Sequence, residues 1–367
     1  MINSQIAKTG SLIALFIIFF SGSVFADSRK YMDKPLMFGP QNTLLSMSTT
    51  FEPDTAFLLD QNDFFVSASY IVINTFAYSS NSDKTNNPSG SASEFHSNDS
   101  DGYSVFMDSE MARRPFKIYY GFSSSLEFQF TYHDFIFYPG NLDSTVEEFH
   151  KSLNIDNQGR EITDKNRLDM YVHDNETGEN IYIVTENSPE FVRESMTLGI
   201  KYLLFETKSS ASSISFSSNY GDYYIEREVN ESTSDIELEK HTDFNDHNIT
   251  LRYSSIGQDF TIHAAYSVTT GKNTLLPKSP DRLFYYFLGL NWHLTDDWNV
   301  LVQALRYSSP YPKDSTSNIG EDIIEISAGL RWFFGKESVI EIGFIENQTH
   351  GEQNIDIALF STLMFYL

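Results

Sequence analysis

Asp143, Glu147 and His150 recur at i, i+4 and i+7, which places two carboxylates and an imidazole on roughly one face of a helix. Glu147-x-x-His150 sets two potential ligands one turn apart, as carboxylate-bridged metal sites do. A carboxylate beside an imidazole is also the core of a general base. The same three residues equally make a solvated helix face with a local ion pair. His133 and Asp134 come just before, at the end of a strand pattern. A histidine on a barrel wall could serve lipid hydrolysis if a serine stood beside it. No serine is singled out: Ser123, Ser124 and Ser125 read as a turn, and no nucleophile elbow or Gly-rich phosphate loop occurs. The sequence therefore assigns no catalytic residue, no metal ligand set and no cofactor, and the expectation is a protein that is not an enzyme.

A second cluster is basic. Arg113, Arg114 and Lys117 gather in a chain whose formal net charge is −25. Turned into a lumen with Glu110 and Glu127, they would set a transverse field that orients polar solutes, as charged rings do in pores. Alternatively they pair across strands or bind lipid phosphate. The candidates for a lumen or constriction are thus Asp143, Glu147, His150, His133, Glu127, Arg113, Arg114 and Lys117.

The elements that must hold these residues are strands. Leu126, Phe128, Phe130 and Tyr132 alternate with Glu127, Gln129, Thr131 and His133. That is apolar-out, polar-in patterning for a lipid-facing wall around a wet interior. Similar patterns mark 64–72, 103–113, 116–121, 168–172, 196–204, 249–253, 260–268, 283–292, 300–307, 324–332, 339–345 and 357–367. Short turn signals at 255–259, 295–297 and 335–337 alternate with long polar stretches at 270–281, 308–322 and 346–354. Short turns at one end and long loops at the other is the arrangement of outer-membrane barrels. The predicted fold is all-β: an antiparallel transmembrane barrel of about 12 strands (roughly 10–14), each ~10 residues long, with a short helix in one loop. A barrel of that size has little free lumen once side chains and a loop fill it.

That helix is predicted after Tyr138, where Leu142, Val146, Phe149 and Leu153 recur at helical spacing, with Asp143 or Asn141 near the N-cap. It is expected either to constrict the lumen or to rest against the rim. Trp292, Trp298 and Trp332, near strand ends, read as interfacial anchors.

The rest of the chain agrees. Residues 1–26 read as an export signal: Lys8, the apolar run Leu12–Phe20, and an A-x-A-like site at Val24-Phe25-Ala26. That run is too short to span ~30 Å of hydrocarbon as a helix. Residues 27–60, with Pro35 and Pro40 and little alternation, are expected to be a periplasmic lead-in or plug, and 61–367 the barrel. Cysteine is absent, which excludes disulfides, thiolate metal sites and cysteine-linked lipid. Aromatic residues make up 15% of the chain, as interfacial girdles require. The acidic balance disfavours nucleic acid, which needs a basic surface. Many acids fall in stretches such as Asp222–Glu239, read as solvated loops with room for divalent cations. The last strand ends on Leu367 with Ile357, Leu359, Leu363 and Phe365 on its apolar face. It resembles the C-terminal assembly signal of outer-membrane barrels, which implies outer-membrane lipids and the barrel-assembly machinery as partners.

Met107-Asp-Ser-Glu110, Tyr119-Tyr-Gly121 with Leu126-Glu-Phe128, Asn141-Leu-Asp143 leading to Glu148-Phe-His150, Gln158-Gly-Arg160 and Asn166-Arg-Leu168 form one block. It resembles a family of uncharacterised bacterial outer-membrane proteins, known only as a domain of unknown function. Pro35-Leu36 with Gln41-Asn42 resembles that family's opening. The chain departs from the pattern at Pro139-Gly140 and Phe149, where the family has a glycine pair and often tryptophan. The resemblance implies a barrel in the bacterial outer membrane and carries no reaction or substrate. Function at this level is a narrow or gated channel for small solutes; the alternatives are a barrel enzyme acting on envelope lipids and a structural or surface-binding barrel.

Overall fold

The computed structural model describes residues 29–43, 45, 51–78, 103–153, 165–177, 179–185, 192–230, 235–271, 279–311, 320–335, 337–348 and 355–367. The export signal and most of the long polar loops lie outside the described residues. A short helical turn, α1 (Arg29–Met32), precedes the first strand, β1 (Phe64–Tyr78). Then come β2 (Tyr103–Arg113), β3 (Phe116–Ser123), β4 (Leu126–Tyr138), the helix α2 (Asp143–Leu153), β5 (Asp169–Asp174), β6 (Glu179–Thr185), β7 (Val192–Glu206), β8 (Ser210–Asn230) and β9 (Asp235–Ile256). The remaining strands are β10 (Phe260–Thr270), β11 (Arg282–His293), β12 (Trp298–Tyr307), β13 (Ile323–Phe333), β14 (Ser338–Asn347) and β15 (Ile355–Tyr366).

These segments make a closed antiparallel barrel with 12 wall strands, as the alternation predicts. β2 and β3 form one wall strand interrupted at Arg114-Pro115; β1 pairs with both, through Ile71↔Arg113 and Ala68↔Phe116. Pro115 has no N–H to give the ladder, but its carbonyl accepts from Ser69 N at 3.0 Å. The ring closes where β1 meets β15, in register from Phe65↔Tyr366 to Asn74↔Ile357, with the register shifting before Thr75↔Ile355. Closure pairs the first wall strand with the last, and a ring without free edges is the condition for strands to stand in an apolar medium.

Two expectations change. The 168–172 pattern is β5, which is not a wall strand: with β6 it forms a hairpin that continues the upper part of β2 and touches β8 at Ile183↔Glu226. Asp222–Glu239 is not simply loop, because β8 and β9 stay paired from Ser210↔Ser255 up to Asn230↔Asp235. β8 itself was hidden from periodicity reading. Its lower half is Ser-rich, with Ile214 and Phe216 as its clearest apolar marks.

Outward positions are apolar and exposed: Leu198 is 54% accessible, Ile249 53% and Leu288 59%. Trp292, Trp298 and Trp332 also face out at the short-turn end, with Trp298 and Trp332 stacked at 5.8 Å between centroids. Inward positions are polar on one side of the ring and more apolar on the other. On the apolar side Leu36 and Phe38 pack with Ile71, Ile73, Leu301 and Phe360. Room for them comes from a facing glycine pair, Gly329↔Gly343. A Cβ on Gly343 would sit 2.2 Å from the Ala328 carbonyl oxygen and 2.6 Å from the Phe360 ring. A larger side chain there is excluded by backbone, not by a movable group. Gly343→Leu is therefore expected to abolish the folded, heat-modifiable band on cold gels, whereas Leu359→Val on the outward face leaves it intact.

Candidate functional site

The inside of the barrel is occupied by the chain's own N-terminal segment. Residues 31–43, 45 and 51–59 are nearly all buried, and their polar groups bond to inward side chains from around the ring. Arg331 of β13 donates to the Met32 carbonyl at 3.1 Å and the Lys34 carbonyl at 2.7 Å. Asn291 of β11 donates to Lys34 O at 2.7 Å and to Asp33 at 2.9 Å. Gln41 N donates to Glu325 at 3.0 Å, and Thr43 meets Thr75 at 3.1 Å. Ala56 N donates to Ser254 at 2.8 Å, and Leu59 N to Glu127 at 3.0 Å.

Two acids of the segment anchor its centre. Asp54 takes Lys34 at 2.6 Å and Lys201 of β7 at 2.8 Å. Lys201 also reaches Glu127 of β4 at 2.9 Å. Glu52 takes Lys117 of β3 at 2.9 Å, Arg113 of β2 at 3.2 Å and His133 of β4 at 3.5 Å. Burial raises the Glu52 carboxyl, but Lys117, His133 and Arg113 outweigh it and hold it at about 2. Asp54 is likewise held far below the ordinary carboxylate range, burial being opposed by Lys201, Lys34 and Arg252.

Beside this anchor a polar cleft remains between the segment and the β4–β7–β8–β9 wall. Gln129, Thr197, Gly199, Ser217, Asn248 and Arg252 are among its lining residues. Small polar side chains predominate on this wall, so it stands back from the segment. The opposite wall is filled by Leu36, Phe38 and their neighbours.

The eight candidates divide evenly. Arg113, Lys117, Glu127 and His133 face the lumen and meet the N-terminal segment there. Arg114 faces out, paired with Asp134 at 2.7 Å. Glu110 also faces out, since it stands opposite outward Asn74 in the β1–β2 register. Asp143, Glu147 and His150 are not in the lumen either: α2 lies on the outer face of the wall at the long-loop end. Asp143 accepts from outward Asn74 of β1 at 2.9 Å, and His150 meets outward Glu346 of β14 at 3.5 Å. Phe149 packs edge-on against outward Phe344 at 6.3 Å. Outside is where the apolar stripe of α2 finds a wall to pack on, because the lumen is already filled.

Glu147 turns to Lys165 at 2.5 Å, so the three residues take three separate partners. Among the described residues no His, Asp or Glu cluster is grouped to hold a metal. Asp143 is the first helical residue and not the cap. Its second oxygen accepts from Asn166 N at 2.6 Å, tying down the chain on its return from the loop.

Sequence reading missed Asp33, Lys34, Glu52, Asp54, Lys201, Arg252 and Arg331 as lumen residues. The signal for three of them was present. Lys201, Arg252 and Arg331 are isolated charges at the polar positions of otherwise alternating strands, where only a compensated interior tolerates them.

With this geometry in hand, the sequence comparison decides the family. The profile described as "Protein of unknown function (DUF3187)" matches residues 23–366. The chain belongs to this family. No curated protein matches it. Among solved structures, an outer membrane channel from Pseudomonas putida F1 is similar to this DUF3187 member with TM-score 0.48 and 9% identity, covering 86% of this chain and 100% of that one. The translocator domain of the autotransporter NalP from Neisseria meningitidis gives 0.42 and 8%, over 84% and 89%. The toluene transporter TodX of P. putida gives 0.36 and 11%, over 89% and 93%.

Removing one acid from the anchor strands its cations. Asp54→Asn leaves Lys34 and, in part, Lys201 buried without their partner, a loss of roughly 3–5 kcal/mol by analogy with broken buried pairs. Amide exchange across 31–59 is expected to accelerate while the wall strands stay protected. The acid response follows from the depressed carboxyls. Their contribution is present above the unfolded values near 4, and it is lost as pH falls through about 2 for Glu52. Exchange protection of the segment is therefore expected to hold at pH 5 and to fail progressively below about pH 4.

Proposed function

We propose that this protein sits in the bacterial outer membrane as a plugged barrel that passes small polar solutes along one side of its plug, and that it is not an enzyme. The observation that carries this reading is the asymmetry of the interior. One half is sealed by apolar packing between the N-terminal segment and the wall, and the other half keeps a polar cleft lined by hydroxyls, amides and charged groups. A barrel of 12 strands filled to this extent leaves a narrow path at most, which argues for selective or gated passage over a wide pore. The exposed apolar outer face and the closed sheet support placement among outer-membrane lipids. β15, which completes the ring, is the element the barrel-assembly machinery would engage.

The enzyme alternative has less behind it. His133 is engaged with Glu52 and sits 3.5 Å from Arg113, an arrangement for charge compensation and not for activating a hydroxyl.

Planar-bilayer recording tests the reading. The full-length barrel is expected to show small steps with brief closures. A variant lacking residues 31–59 is expected to show several-fold larger, steadier steps. Silence from both proteins, each verified as folded, would overturn the channel reading.

A further inference from the structure

Arg252 stands out among the charges of the lumen. It is buried on β9, yet no carboxylate lies within ion-pair distance of it among the described residues. Its Nη1 donates to Ser215 Oγ, its Nη2 reaches the Glu52 carbonyl at 3.4 Å, and its Nε finds no acceptor. Arg113, 3% accessible, is a second case. Its Nη2 donates to Glu52 and its Nη1 approaches the Pro40 carbonyl at 3.5 Å, while its Nε is also without an acceptor. Both guanidinium groups line the cleft, and both reach the same residue, Glu52.

Arg252 is the one cation around the anchor with no carboxylate in contact among the described residues, since Lys34, Lys117, Lys201 and Arg113 pair with Glu52, Asp54 and Glu127. A buried charge without such a partner is costly unless something of opposite sign joins it. Two guanidinium groups in one polar cleft, each with an N–H that no protein group accepts, suit an oxygen anion, because charge-assisted bonds to carboxylate are the strong ones. Gln129, Thr197 and Asn248 line the same space but already donate to Asp54, Glu127, Asn219, Ser267 and Thr269, so recognition falls to the two arginines.

We propose that the cleft is a binding site for a small carboxylate anion, held by Arg252 and Arg113. It deepens the channel reading by naming the solute class, and it rests on that reading only for the idea that the anion moves on. The acidic exterior would then play no part in recognition, and selectivity would be set inside.

Acetate is the probe, with acetamide as its neutral counterpart. Saturation-transfer NMR on the full, detergent-folded protein is expected to give a saturable acetate signal, competed by propionate and absent for acetamide. Arg252→Gln is expected to weaken acetate binding about tenfold, the scale of one charged hydrogen bond. Arg306→Gln, which alters an exposed arginine paired with Asp322 outside the lumen, leaves it unchanged. Arg252→Lys carries the test separately by keeping the charge but losing the fork, with an expected loss of a few-fold. Equal signals for acetate and acetamide, or acetate binding indifferent to both Arg252 variants, would overturn the proposal. Binding without any bilayer conductance would sink the channel reading and leave the anion site standing; conductance without acetate binding would do the reverse.

Discussion

Glu52 and Asp54 sit two residues apart, separated only by Pro53, and what they touch organises the interior. Between them they gather cations from β2, β3, β7 and the N-terminal segment itself. A barrel that turns apolar side chains outward must turn polar ones inward, and inward charges cannot stay uncompensated away from water. Here the compensation comes from a piece of the same chain. The proline-bounded stretch brings two carboxylates to the place where the wall presents lysine and arginine. The wall charges and the plug therefore make sense only together. Without the segment, Arg113 and Lys117 would lose Glu52, and Lys201 would keep only Glu127; without the wall cations, Asp54 would keep only Lys34 and Glu52 would have no cation among the described residues.

That dependence explains the asymmetry of the interior. Leu36 and Phe38 lie against strands whose inward positions are large and apolar, with Gly329 and Gly343 making room. Across the lumen, β7 to β9 present serine, threonine, glycine and asparagine, so the polar cleft opens there. The plug is held by chemistry on one side and by shape on the other. A segment held in this way resists sideways displacement while leaving one flank wet.

Much of the wall was legible in the sequence because period-2 alternation survives wherever one face is apolar. It failed at β8, whose serines give little contrast between faces, and it misplaced 168–172, since a hairpin above the rim alternates as a wall strand does. The candidate site was half legible. Arg113, Lys117, Glu127 and His133 lie on strands whose phase fixes their direction. Arg114 follows Arg113 directly and so must point the other way, which alternation alone implies. The helix residues were misassigned for a different reason: helical periodicity tells which face is apolar but not which surface receives it. The acids at 52 and 54 had no periodic context, and only the packed interior reveals their partners.

The position of α2 has a consequence for how the ring behaves. Its contacts fall on β1 through Asn74 and on β14 through Phe344 and Glu346, so it straddles β15 and the joint where the first and last strands meet. That joint is where a circular sheet made from one linear chain could part. The landing surface for the helix exists only after the ends have come together, so docking of α2 follows closure and then holds it. In the finished protein the long-loop end of the joint is strapped from outside, so the first and last strands are held together there by a clasp that the ladder hydrogen bonds alone do not supply.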